Sequence, residues 1–148
     1  MKQNRLPSLL VCVTGQRECI RLIKIGKEIA EKENLQLHVL SVLRYTDDFE
    51  NTSEQIEFLY QGAHQLGAEM SILFNENAAL SAAGFARDIN AQHIVTGMPG
   101  KQLSDFIGVI HVLTPTIPLS MVTNENVVYN MVPVIDTKKS KKKQQVPA

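Results

Sequence analysis

No apolar run in the 148-residue chain approaches the roughly 20 residues that a membrane-spanning helix requires. Its first residues also lack the charged, then apolar, then small-residue order of a secretion signal. A cytoplasmic protein with no membrane insertion is expected. Cysteine occurs only at Cys12 and Cys19, at a spacing that fits neither a metal knuckle nor a redox pair, so both are read as reduced packing residues. Histidine is present at positions 38, 64, 93 and 111, but no two lie at the i, i+4 spacing of a helical ligand pair, which argues against a metal site. There is neither a Walker-type phosphate loop nor a GxGxxG turn. No nucleophile is placed with a base, and Asp47-Asp48 sits in a polar connector without a partner, so no enzyme is expected.

Excess charge of one sign is missing overall, with 15 basic and 15 acidic residues, but the distribution is uneven. The five lysines from Lys138 to Lys143 all lie in the tail, leaving 10 basic against 15 acidic residues in 1–137, a balance of −5. A mildly acidic body is a poor match for a phosphate backbone, so nucleic acid is not the expected partner. The basic segment 138–148 is expected to be disordered and solvating.

What the chain does have is a regular alternation of two periodicities. Leu9 to Val13 is a short apolar run closed by Thr14-Gly15, the pattern of a strand buried on both faces. From Arg17 to Glu33, Cys19, Leu22, Ile23, Gly26, Ile29 and Ala30 recur at helical spacing, and Glu33-Asn34 ends the helix. Leu35 to Leu43 is a second strand. Thr52 with Gln55 has the spacing of a capping box, which predicts a helix starting there, with Ile56, Leu59, Tyr60, Ala63 and Leu66 on one stripe and Gly67 as a left-handed stop.

Ala68 to Phe74 is the third strand, and Asn77 caps a helix whose small face is Ala79, Ala82, Ala83 and Ala86. His93 to Thr96 is the fourth strand, Leu103 to Leu113 a fourth helix, and Pro118 to Thr123 the fifth strand. Strict strand–helix alternation implies right-handed crossovers and a three-layer α/β/α domain: a doubly wound, Rossmann-like, five-stranded, mostly parallel sheet. Residues 1–123 form this domain. Residues 124–137 form an extension in which the apolar segment Val127 to Ile135, interrupted by Pro133, suits an edge strand or a dimerisation arm. A homodimer through strand five and this extension is expected, with an extension folded back on its own domain as the alternative.

In such a sheet, ligands collect at the carboxyl ends of the strands where the strand order reverses. The loops concerned are Thr14-Gly15, Val42 to Arg44, and Gly97 to Lys101. Gly97 and Gly100 permit a tight turn that brings backbone N–H groups against a phosphate at the following helix amino end. Lys101 stands ready to neutralise that phosphate. His111, on the fourth helix, is a further candidate for meeting a phosphate.

The element order, the strand ending VCVTG and the loop TGMPG resemble the universal stress protein family over roughly Pro7 to Thr123. That resemblance implies strand order 3-2-1-4-5 and, in the ATP-binding branch, a loop G-x2-G-x9-G-[S/T] around the phosphates. Gly97 and Gly100 match its first half. The second half is absent: the spacing leads to Ile110-His111, and alignment back from Pro118 leads to Asp105-Phe106. A carboxylate there opposes a phosphate by about 1 to 4 kcal/mol at about 4 Å. The family's ribose-binding Asp corresponds to Thr14, and its adenine-contacting strand-two position corresponds to Val42.

A hydroxyl residue at the end of strand one is more similar to the stress-protein module of potassium-sensing histidine kinases, some of which bind cyclic di-AMP. The resemblance thus implies a non-enzymatic stress-response module with an adenine-type cleft lined by Thr14, Gly15, Val42, Gly97, Met98, Gly100 and Lys101. It is ill suited to a triphosphate, and AMP, ATP and cyclic di-AMP are the candidate ligands. The alternative is a protein-interaction module of the same fold that has lost nucleotide binding.

Overall fold

The structure, a computed structural model, describes residues 6–45, 49–98 and 105–133. The chain runs β1 (Ser8–Val13), a 3-10 turn (Arg17–Cys19), α1 (Ile20–Glu33), β2 (Gln36–Leu43), α2 (Phe49–Gln65), β3 (Glu69–Phe74), α3 (Ala78–Asp88), β4 (Ala91–Gly97), α4 (Asp105–Leu113), β5 (Leu119–Val122) and β6 (Val128–Met131). The sheet order is β3-β2-β1-β4-β5-β6, parallel throughout except that β6 runs antiparallel to β5. The three-layer, doubly wound architecture holds, with a correction to the strand count: among the described residues the sheet has six strands, not five. The sixth comes from the apolar segment after residue 124, which folds back onto β5 of its own chain.

The period-2 alternation of each strand divides the core into two layers. Leu9, Val11 and Val13 of β1 pack with Leu22, Ile23 and Ala30 of α1 and Leu59 and Ala63 of α2. Leu10 and Cys12, on the other face, pack with Ala82 and Ala86 of α3 and Ile107 and Ile110 of α4. Alanines let α3 lie close on the sheet. On the opposite face Gly26 does the same for α1, since a Cβ there would run into Val11 Cγ2.

Local chemistry sets several boundaries as expected. Asn77 accepts the Leu80 N–H at 3.0 Å and caps α3. Gly67 adopts φ +79° after α2, and Asn34 adopts φ 61° after α1. The capping box at Thr52 is a correction: α2 begins at Phe49, which leaves Thr52 inside the helix. Gln55 instead turns its Oε1 to the Arg17 N–H at 3.1 Å, joining α2 to the 3-10 turn. Among the described residues no helix is long and apolar enough to cross a membrane.

Candidate functional site

After β1 the chain moves to one side of the sheet and after β4 to the other, so their carboxyl ends flank the point where strand order reverses. Cys12 is level with both Leu40 and Thr96, which brings Thr14 alongside Gly97 and Met98 just beyond the paired region. Thr14 is exposed on the crest of the sheet. Its Oγ1 is 3.4 Å from Cys19 Sγ, and its carbonyl accepts the Ser41 hydroxyl at 3.3 Å, which ties the crest of β1 to β2.

Gly15 is buried beneath α2, where an added Cβ would stand 3.2 Å from Thr52 Cγ2 and 3.3 Å from Ile56 Cδ1. Its small size serves the passage of the chain under that helix. Gly97 differs: an added Cβ would meet only Leu22 Cδ1, at an ordinary 3.5 Å. Packing on Leu22 does not demand glycine there. Met98 donates its N–H to the Val122 carbonyl at 2.9 Å, extending the β4–β5 ladder by one bond. Val42 and Met98 are both half-buried and pack against the α3/α4 layer. Thr14, Gly15, Gly97 and Met98 therefore converge, with Val42 one strand away on β2. Gly100, Lys101 and Asp47-Asp48 lie outside the described residues.

Asp105 is the first residue of α4 and is exposed. A carboxylate at a helix amino end complements the macrodipole, but it also occupies the position where an incoming phosphate would otherwise be favoured. His111 sits in the last turn of the nine-residue α4, roughly 9 Å along the axis from Asp105 at 1.5 Å per residue.

Three features of the site region and its surroundings escaped the sequence. Arg21, in the first turn of α1, donates through Nη1 to the Thr123 carbonyl at 2.8 Å and Asn126 Oδ1 at 3.2 Å, and through Nη2 to Asn124 Oδ1 at 3.4 Å. It fastens the β5–β6 turn to the helix. His38 and His93 are both buried beside carboxylates, with His38 Nε2 3.6 Å from Glu69 Oε1 and His93 Nδ1 2.9 Å from Glu33 Oε1. A cavity of about 210 Å³ opens at the amino ends of β2 and β3, lined by Lys27, Gln36, His38 and Glu69 among others. It lies at the opposite end of the sheet from the switch point, a location that strand-end reasoning does not single out.

Burial pushes the Cys12 thiol from 9.0 up to about 12. In the folded chain it is a neutral packing group. Among the described residues no three His, Cys, Asp or Glu side chains are grouped to hold a metal ion.

No family model matches the chain. Among curated proteins it is similar to the sensor protein KdpD of Mycobacterium tuberculosis, at 29% identity over 89 residues. That alignment takes in 60% of this chain but only 10% of KdpD, so the chain spans a small part of that relative's length. Among solved structures, a universal stress protein in complex with cAMP superposes with TM-score 0.59 at 14% identity, covering 80% of this chain and 98% of the other. The universal stress protein of Archaeoglobus fulgidus in complex with dAMP gives 0.56 at 17%, covering 77% and 95%. GalB, the 4-carboxy-2-hydroxymuconate hydratase of Pseudomonas putida KT2440, gives 0.58 at 8%, covering 78% and 65%. The chain has the universal stress protein fold. That an enzyme also superposes on it means that function must be argued from the site.

Proposed function

We propose that the chain is a non-enzymatic, universal-stress-type regulatory protein that takes an adenine nucleotide at the carboxyl ends of β1 and β4. The observation that carries this reading is the convergence of Thr14, Gly15, Gly97 and Met98 at the switch point, where packing does not by itself demand a glycine at position 97. Two solved proteins of this fold are described in complex with cAMP and dAMP, which supports an adenine monophosphate class.

Val42 and Met98 supply an apolar seat for a base, and the Thr14 hydroxyl offers a single polar contact to a sugar where a carboxylate would offer two acceptors. Gly100 and Lys101 are assigned to the same cleft from the sequence. Asp105 at the head of α4 disfavours a triphosphate. The expected order of affinity is therefore AMP or cyclic di-AMP ahead of ATP.

Calorimetric titration of the purified chain with AMP, ATP and cyclic di-AMP tests this reading, repeated on Gly97→Val, whose branched side chain fills the mouth. At least about a tenfold loss for the variant is expected, a difference of about 1.4 kcal/mol. Equal affinity in the two proteins sinks the proposed site.

A second reading, an interaction module, is favoured by the sheet edge. Val127, Val128, Tyr129 and Val132 are exposed on and around β6, and β6 covers the outer edge of β5. A second copy of the chain pairing at this edge would meet β6 rather than β5. Light scattering on the intact chain and on Tyr129→Lys tests it: a dimer that the substitution dissociates supports the reading, and a monomer at every concentration removes it.

A further inference from the structure

A hydrogen-bonded chain crosses four elements on the α1 side of the sheet. Glu33, the last residue of α1, places Oε1 2.9 Å from Nδ1 of His93 on β4. Nε2 of that ring is 2.7 Å from the Ser120 hydroxyl on β5, which is 2.5 Å from Oδ1 of Asn130 on β6. Ser120 and Asn130 are register partners in the antiparallel ladder. The order serine, histidine, acid is that of a hydrolytic triad, but Ser120 is 0% exposed and Asn130 closes over it, so no substrate can reach the hydroxyl.

Two arrangements of hydrogen atoms satisfy every member. The Glu33 carboxylate can only accept, so Nδ1 carries a hydrogen in both. When Nε2 is also protonated, the ring donates to Ser120 and the Ser120 hydroxyl donates to Asn130 Oδ1, which turns the Asn130 amide nitrogen toward solvent. When Nε2 is bare, the Ser120 hydroxyl donates to the ring and its oxygen then needs a donor. The Asn130 carboxamide supplies one only by a half-turn, which brings its nitrogen inward and its oxygen outward.

We propose that this chain is a proton-driven switch, in which the charge state of buried His93 sets whether the exposed edge strand β6 presents a donor or an acceptor at Asn130. Among the described residues, the charged group in ion-pair contact with His93 is Glu33, from α1. Its hydrogen-bond partner on β5 is the neutral Ser120, through which it reaches the neutral Asn130 of β6, and its register partner on β1 is Leu9. The switch therefore answers to one imidazole and one carboxylate, and it relays their state by hydrogen-bond direction. Asn130 is exposed on β6, so the switch has its output on the sheet edge.

The test is nitrogen-15 NMR of the intact chain, following the His93 ring and the Asn130 side-chain amide across the pH range in which imidazoles titrate. The Asn130 amide signals are expected to move with the same midpoint as the His93 ring. An Asn130 amide that stays constant while His93 titrates overturns the proposal, as does a His93 ring that holds one state throughout. Asn130→Asp provides only acceptors, so it is expected to shift upward the pH to which the ring stays doubly protonated. In the Ser120→Ala background that shift is expected to shrink several-fold, and an undiminished shift shows through-space attraction in place of the relay.

Discussion

Arg21 Nη1 lies 2.8 Å from the Thr123 carbonyl oxygen, joining the first turn of α1 to the turn that launches β6. The contact spans 102 residues of sequence. It holds the last strand of the sheet to the helix that follows β1, so the switch-point loop and the β6 edge share one anchor. Arg21→Met keeps the aliphatic stem but deletes the donors to Thr123, Asn126 and Asn124. A loss of about 1 to 3 kcal/mol in urea unfolding is expected. Amide exchange should quicken more in Val128–Met131 than in β1, and uniform quickening would contradict the anchor.

Two helix glycines should respond to alanine with opposite signs. Gly26 has Val11 Cγ2 where its Cβ would stand, and Val11 is fully buried and stiff about χ1. Gly26→Ala is expected to destabilise by about 1 to 3 kcal/mol through overpacking. Gly84 in α3 has nothing within 4 Å of its Cβ position, so Gly84→Ala should stabilise by about 0.5 to 1 kcal/mol through helix propensity alone. Thermal unfolding of the two variants beside the parent checks both signs.

Cys12 makes a pH prediction whose direction follows from burial. Its thiol titrates near 9.0 when unfolded and near about 12 when folded, so above pH 9.0 the unfolded state gives up a proton that the folded state keeps. The stability contribution is whole below pH 9.0 and is lost as pH rises toward about 12. Comparing denaturant unfolding of the parent and Cys12→Ala through that window, the parent should lose up to about 1.4 kcal/mol per pH unit more than the variant. Parallel pH profiles would contradict a buried neutral thiol.

Asp105 is expected to weaken phosphate binding while it supports α4. Asp105→Asn removes the charge but keeps a similar shape, so affinity for AMP should rise by about three- to tenfold, with a cost to helix stability of roughly 0.3 to 1 kcal/mol. Calorimetry and thermal unfolding on the same preparation separate the two effects. Unchanged or weaker AMP binding would place the phosphate elsewhere.

Features that depend on a few neighbouring residues were legible in the sequence. Asn77 and Gly67 act on backbone groups within four residues, so their capping roles could be read from their positions. The buried run at Leu9 to Val13 and the small face of α3 showed where the sheet lies and which helix approaches it closely. Thr52 and Gln55 carry the same local signature as a capping box, but Gln55 is claimed by Arg17, 38 residues away, and the helix starts earlier. His93 looked isolated because Glu33 is 60 residues distant and Ser120 another 27. Each of these depends on tertiary contact, which neither spacing nor propensity encodes.

Amide NMR of the intact chain during titration with AMP reports which end of the sheet the nucleotide meets. Shifts are expected to concentrate at Thr14, Gly15, Val42, Gly97 and Met98, with Lys27, His38 and Glu69 around the amino-end cavity unmoved. Shifts centred on Lys27, His38 and Glu69, or no shifts at all, would contradict the proposed site.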